Sequence, residues 1–174
     1  MPQIQAAPPV CKISLGGISN PPHSDGMNWI QWHLALNHLP VIGVPILLGW
    51  LVIGWGRRSS DVMRLALWSL TLLAAVAVAI KFTGDFAAEQ AAPALAAVQD
   101  YVARHETSGD QVTTSVFFLG LASALTLFLS RRGRPPQAWT LALVFLLGLL
   151  TALLYARAAH SGGAISHPEL RSKT

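Results

Sequence analysis

The stretch Leu39–Gly56, LPVIGVPILLGWLVIGWG, decides the fold class because it is an uninterrupted apolar run without a charged residue. A membrane-spanning helix needs about 20 predominantly apolar residues. Three further stretches fit this description, so the predicted spans cover residues 39–56, 62–83, 112–130 and 138–159. Short loops join the first two spans and the last two, which makes each pair an antiparallel hairpin. The sequence therefore predicts an all-α membrane protein with four transmembrane helices in an antiparallel bundle.

The composition of the whole chain agrees with this prediction. Of its 174 residues, 52% are hydrophobic and 11% are charged, whereas soluble domains have about 25% charged residues. A single cysteine, Cys11, excludes a disulfide scaffold. The net charge is +4, but the basic residues form short clusters between apolar runs. This pattern predicts a lipid bilayer as the partner, and no nucleic acid.

The loops between the spans predict the orientation. Residues 57–61 and 131–137 together hold five arginines, whereas the central connection, residues 84–111, holds five acids and one basic residue, Arg104. Cytoplasmic loops carry an excess of Lys and Arg, so both arginine loops are expected in the cytoplasm. The predicted location is the bacterial inner (cytoplasmic) membrane, with both termini on the periplasmic side.

Three regions are predicted along the chain. Residues 1–26 form an extended Pro/Gly-rich tail, residues 27–160 the four-helix bundle, and residues 161–174 a C-terminal tail. Residues 93–105 have apolar side chains near helical spacing, which predicts an extra interfacial helix between spans 2 and 3. Small residues in these two spans favour close helix approach. The sequence shows no internal repeat strong enough to interpret.

All six histidines fall on the predicted outer side of the membrane. At about 1.5 Å of rise per residue, three of them lie roughly 33–38 Å above the opposite ends of their helices, and His38 lies deeper, at roughly 27 Å. His33 and His38 point about 140° apart on a regular helix, so they do not share a face. The histidines at the common outer level are His33, His105 and His160; His23 and His167 belong to the tails.

Several histidines at one end of a helical bundle indicate a b-type haem, because haem iron takes axial imidazoles from facing helices. The predicted iron ligands are His38 or His33 from span 1, with His105 or His160 from the facing helices. The sequence then predicts an integral membrane subunit that serves electron transfer within a larger respiratory or photosynthetic complex.

Two arginines fit the haem hypothesis. Arg104 adjoins His105, and Arg157 precedes His160 by one helical turn. Haem propionates favour Arg or Lys near the aqueous end of the site, so both arginines are predicted to contact the propionates.

Three alternatives remain open. The first is a Zn, Mn or Fe site in which His105 and Glu106 combine with Asp85 or Glu89. The second is a quinone pocket, where a histidine and a carboxylate handle protons. The third is a cofactor-free accessory subunit, in which the histidines are interfacial and the N-terminal tail holds a neighbouring subunit. No nucleophile–base arrangement, phosphate loop or dinucleotide motif is present, so no catalytic activity is predicted for the chain itself.

Four short motifs add a family resemblance. Their order in this chain is HLALNHLP (33–40), TGD (83–85), RHE (104–106) and GGAISHPE (162–169). The chain resembles a large group of uncharacterised bacterial four-helix membrane proteins with an H-x4-H-[FL]-P opening, a TGE-like turn, an RHE motif and a GGxIxHPE tail. Asp85 stands where glutamate is more usual. The resemblance covers about Met27 to Arg171 and implies the four-helix architecture and haem binding through the histidine motifs, without an enzyme activity.

Overall fold

The computed structural model describes residues 29–91, 98–131 and 134–166. The predicted N-terminal tail, residues 1–26, lies outside the described residues, as do Cys11, His23 and His167. The described chain forms four helices: α1 (Trp29–Gly56), α2 (Ser60–Ala91), α3 (Gln99–Leu129) and α4 (Ala138–Ser166).

Each of the four helices is long and apolar enough to cross a membrane. Large hydrophobic side chains cover the outside of the bundle, where they face lipid instead of a protein core. Examples at different depths are Phe82, Phe128, Leu146 and Trp139, all of them exposed. The chain is therefore a membrane protein, and the predicted all-α four-helix bundle is confirmed.

The helices extend well beyond the predicted spans. α1 begins at Trp29 and α3 at Gln99, whereas the apolar runs begin at residues 39 and 112. Hydropathy marks only the part of a helix that lies in hydrocarbon, while backbone hydrogen bonds continue into the interface. From Gln99 onwards the predicted interfacial helix is the first part of α3, and residues 92–97 lie outside the described residues. α4 continues past the predicted bundle boundary at residue 160, to Ser166.

The helices pack as a ring in chain order. α1 contacts α2, α2 contacts α3, α3 contacts α4, and α4 closes the ring against α1. This order places α1 and α3 diagonally across the bundle. The core between the helices is aliphatic, and its most deeply buried members include Val44, Leu51, Leu67, Leu119 and Val144.

Small residues bring α2 and α3 together, as their composition predicts. A Cβ atom at Gly120 would lie 2.5 Å from the Cβ of Ala74. Ala77 and Val116 extend the same buried contact. Close backbone approach of this kind increases van der Waals contact where lipid supplies no hydrophobic driving force.

Candidate functional site at the histidine end of the bundle

The end of the bundle opposite the arginine loops is called the histidine end. There, His33 of α1 is held by the neighbouring helix α2. Its half-buried ring lies against α2, with Nδ1 3.3 Å from the Thr83 hydroxyl. That hydroxyl donates to the Ile80 carbonyl at 2.7 Å, so its oxygen accepts from the imidazole. The ring also interacts with the Ile80 carbonyl itself. The proton therefore lies on Nδ1, and the lone pair of the neutral imidazole lies on Nε2.

His105 is held in the same way by α4. Its Nδ1 donates to the Ala158 carbonyl at 3.2 Å and lies 3.2 Å from the Ser161 hydroxyl. The Ser161 hydroxyl in turn donates to the Ala158 carbonyl at 2.9 Å. A carbonyl can only accept a hydrogen bond, so Nδ1 again carries the proton and Nε2 the lone pair.

A glycine lies directly beneath each of these two rings. A Cβ atom at Gly84 would lie 2.8 Å from Cε1 and 3.2 Å from Nδ1 of His33. A Cβ atom at Gly162 would lie 3.0 Å and 3.3 Å from the same atoms of His105. Any larger residue would displace the ring. The two glycines therefore allow each imidazole to lie close to the helix that anchors it.

The two imidazole sites belong to a repeat of the whole helical hairpin. In each anchoring helix the carbonyl, hydroxyl and glycine occupy positions i, i+3 and i+4, namely 80, 83 and 84 in α2 and 158, 161 and 162 in α4. With a constant offset of 72, the five buried positions of α1 (40, 44, 48, 51 and 54) match buried positions of α3 (112, 116, 120, 123 and 126). With an offset of 78, six buried positions of α2 (63, 66, 70, 73, 77 and 80) match buried positions of α4 (141, 144, 148, 151, 155 and 158).

His33 and His105 lie at the same end of the bundle, on the diagonally placed helices α1 and α3. The described residues bring no group of three or more His, Cys, Asp or Glu side chains to metal-binding distance. This end of the described bundle offers two imidazoles that are each anchored to a neighbouring helix.

The other two candidate histidines lie on the outside of the bundle. His38 is exposed, and its Nδ1 donates to the Leu34 carbonyl of its own helix at 2.6 Å. His33 and His38 thus lie on different faces of α1, as the angle between their side chains on a regular helix predicts. His160 is also exposed. Neither side chain joins the pair formed by His33 and His105.

Both predicted propionate arginines lie on the surface. Arg104 and Arg157 are exposed, and the Arg104 guanidinium lies 6.0 Å from the centre of the Tyr101 ring. Each therefore has an accessible positive charge near the histidine end.

A polar cleft of about 600 Å³ opens between α2 and α3 near the histidine end. Lys81 lies in it and forms ion pairs with Asp85 at 2.7 Å and Asp110 at 3.2 Å. Two further acids, Glu89 and Glu106, line the cleft, whereas no histidine does. Of the acids of the predicted metal site, Asp85 thus pairs with Lys81, while Glu89 and Glu106 line the same cleft.

Comparison with known proteins adds no functional assignment. No protein-family model, no curated protein and no solved structure matches the chain. The resemblance to four-helix membrane proteins with histidine motifs therefore stays a prediction, and the function is argued from the site alone.

Proposed function

We propose that this membrane protein binds one b-type haem between His33 and His105 and serves electron transfer. One observation carries the proposal. Two half-buried imidazoles on diagonal helices are each anchored through Nδ1, which leaves Nε2 of each ring as the coordinating nitrogen. Metal-binding histidines commonly donate their other ring N–H to a carbonyl or similar acceptor, because this bond fixes the tautomer and the ring orientation.

The chain's own residues are suited to hold such a ligand pair. Thr83 and Ser161 orient the two rings, while Gly84 and Gly162 allow each ring to lie close to its anchoring helix. Bundle interiors are a frequent location for cofactor sites built from facing helices. A b-type haem bound by two imidazoles supplies one-electron redox chemistry.

The surroundings suggest how the site is used. Arg104 and Arg157 would pair with the two propionates, since both carry accessible charges near the histidine end. The exposed apolar surface suits lipid and neighbouring membrane subunits. We place the protein in a respiratory or photosynthetic complex of the bacterial inner membrane, with the histidine end on the periplasmic side.

The test is a reduced-minus-oxidised visible spectrum of the full chain purified from its native membrane, with a pyridine haemochrome assay. We expect a b-type α-band that is lost in His33→Ala and in His105→Ala. His38→Ala and His160→Ala are the matched controls, because they remove exposed imidazoles from the same two hairpins. Loss of the band in the controls, with retention in the first two variants, would reassign the ligands.

A second candidate is a cofactor-free accessory subunit, and the same hydrogen bonds favour it. His33 joins α1 to α2 and His105 joins α3 to α4, so the imidazoles also serve as interhelical ties. A flat spectrum from folded native protein, combined with a lower unfolding temperature for His33→Ala and His105→Ala, would support this candidate and exclude the first.

A further inference from the structure

Arg64 is fixed between helices at the opposite end of the bundle, which we call the arginine end because it carries the loops at residues 57–59 and 130–137. It enters from the first turns of α2 and donates through one terminal nitrogen to the Ser130 carbonyl at 2.8 Å and the Arg134 carbonyl at 3.0 Å. These bonds hold the guanidinium in one place without neutralising its charge.

The positive charge of Arg64 lacks a counter-charge within the described part of the chain. Among these residues, the ion pairs all involve Lys81 at the other end of the bundle. The Nε atom of Arg64 is buried and has no hydrogen-bond partner among them. A buried donor without an acceptor is costly, and the Arg64 guanidinium lines a cavity with its charge unbalanced, so the site favours an anion supplied from outside the chain.

A second arginine faces the same site. The Arg131 guanidinium lies over the Phe128 ring, 4.5 Å from the ring centre. This cation–π contact restrains an otherwise exposed side chain. Arg64 and Arg131 together line a cavity of about 270 Å³ between α2 and α3.

Apart from Ser130, the other residues that line the cavity are apolar, and the cavity opens towards the bilayer. Its remaining walls include Trp68, Ala124, Leu127 and Phe128. Trp68 and Phe128 are 58% and 56% exposed, so both project from the bundle into the hydrocarbon region. Two arginines therefore lie at the interfacial end of a lipid-facing apolar groove.

We propose that this cavity binds an anionic phospholipid. Its phosphate would lie between Arg64 and Arg131, and an acyl chain would follow the groove beside Trp68 and Phe128. Basic pockets between transmembrane helices on the cytoplasmic side bind anionic lipid headgroups. The proposal is independent of the histidine site, which lies at the other end of the bundle.

The test compares lipid retention by the full chain in vesicles that contain equal amounts of phosphatidylglycerol and phosphatidylcholine. Native mass spectrometry of the detergent-extracted protein measures the ratio of the two retained lipids. We expect wild type to prefer phosphatidylglycerol and Arg131→Gln to lower that preference about fivefold, since a basic residue near the surface contributes about that factor. Arg57→Gln is the matched control, because it removes an exposed arginine from the other loop. We expect it to leave the preference unchanged.

Arg64→Gln should lower the preference at least as much as Arg131→Gln. Should it fail to fold for loss of its bonds to the α3–α4 loop, Arg131→Gln still decides the question. Equal effects of Arg131→Gln and Arg57→Gln would show general surface attraction and overturn the proposal. Displacement of the lipid by excess inorganic phosphate alone would identify a free-phosphate site, which also overturns it.

Discussion

Gly84 lies directly against the imidazole of His33, so close that a Cβ atom at position 84 would come within 2.8 Å of Cε1. The glycine is thus part of the histidine site although it has no side chain. Because Thr83 directly precedes Gly84, one short segment of α2 determines both how close the ring lies to the helix and the direction of its Nδ1 proton. The segment Ser161-Gly162 of α4 does the same for His105.

This relationship predicts graded effects of glycine-to-alanine substitutions. Gly84→Ala should destabilise the bundle by about 1–3 kcal/mol, the usual cost of overpacking. Gly162→Ala should cost less, since its new Cβ would lie 3.0 Å from His105 Cε1. Gly109→Ala is the control: nothing lies within 4 Å of a Cβ there, and helix propensity should stabilise it by about 0.5–1 kcal/mol. Thermal unfolding in detergent measures the order of stability of the three variants. Equal stability of Gly84→Ala and Gly109→Ala would contradict the predicted order.

The close approach of α2 and α3 gives a second prediction. Gly120→Ala should destabilise the protein by about 1–3 kcal/mol, because two methyl groups would be 2.5 Å apart. Ala74→Gly alone should cost about 1 kcal/mol of helix propensity. The double variant Gly120→Ala with Ala74→Gly should be more stable than the sum of the single effects by about 1 kcal/mol. Additive effects in this double-mutant cycle would show that the two residues do not touch.

A buried hydrogen bond between α3 and α4 gives a third prediction. The hydroxyls of Ser115 and Thr151 are 2.8 Å apart inside the bundle. Thr151→Val should cost about 0.6 kcal/mol, the average for interhelical hydrogen bonds in membranes. Thr113→Val is the control, because the Thr113 hydroxyl donates within its own helix, to the Gly109 carbonyl. Unfolding in denaturant should give Thr151→Val a lower free energy of unfolding than Thr113→Val. The reverse order would argue against the hydrogen bond between Ser115 and Thr151.

The architecture could be predicted from the sequence because hydrophobic runs of about 20 residues have few other uses. The placement of His33 on α1 depended on that helix continuing beyond its apolar run, and the structure shows that α1 begins at Trp29. Hydropathy could not reveal this extension, because the first turns of α1 contain polar residues that lower the hydropathy. The backbone of these residues nevertheless forms helical hydrogen bonds as readily as that of apolar residues.

The choice among the histidines could not be made from the sequence. Depth estimates give His33, His105 and His160 a common level, but which of them turn inward depends on helix rotation and on the diagonal placement of α1 and α3. The hairpin repeat was also missed, because it is a repeat of burial and of backbone contacts more than of residue identity. One available signal was a hydroxyl residue followed by glycine in both α2 and α4, Thr83-Gly84 and Ser161-Gly162.

The predicted orientation gives the last prediction, which single cysteines can test in a Cys11→Ser background. Arg57, Glu106 and Arg134 are all exposed, so a cysteine at each should accept maleimide without disturbing the core. On intact cells a membrane-impermeant maleimide should label Glu106→Cys only, since the positive-inside rule places both arginine loops in the cytoplasm. Arg57→Cys and Arg134→Cys should be labelled once the membrane is opened. Labelling of these two variants on intact cells would invert the topology and move the histidine end to the cytoplasm. Labelling of only one of them would contradict the two-hairpin arrangement itself.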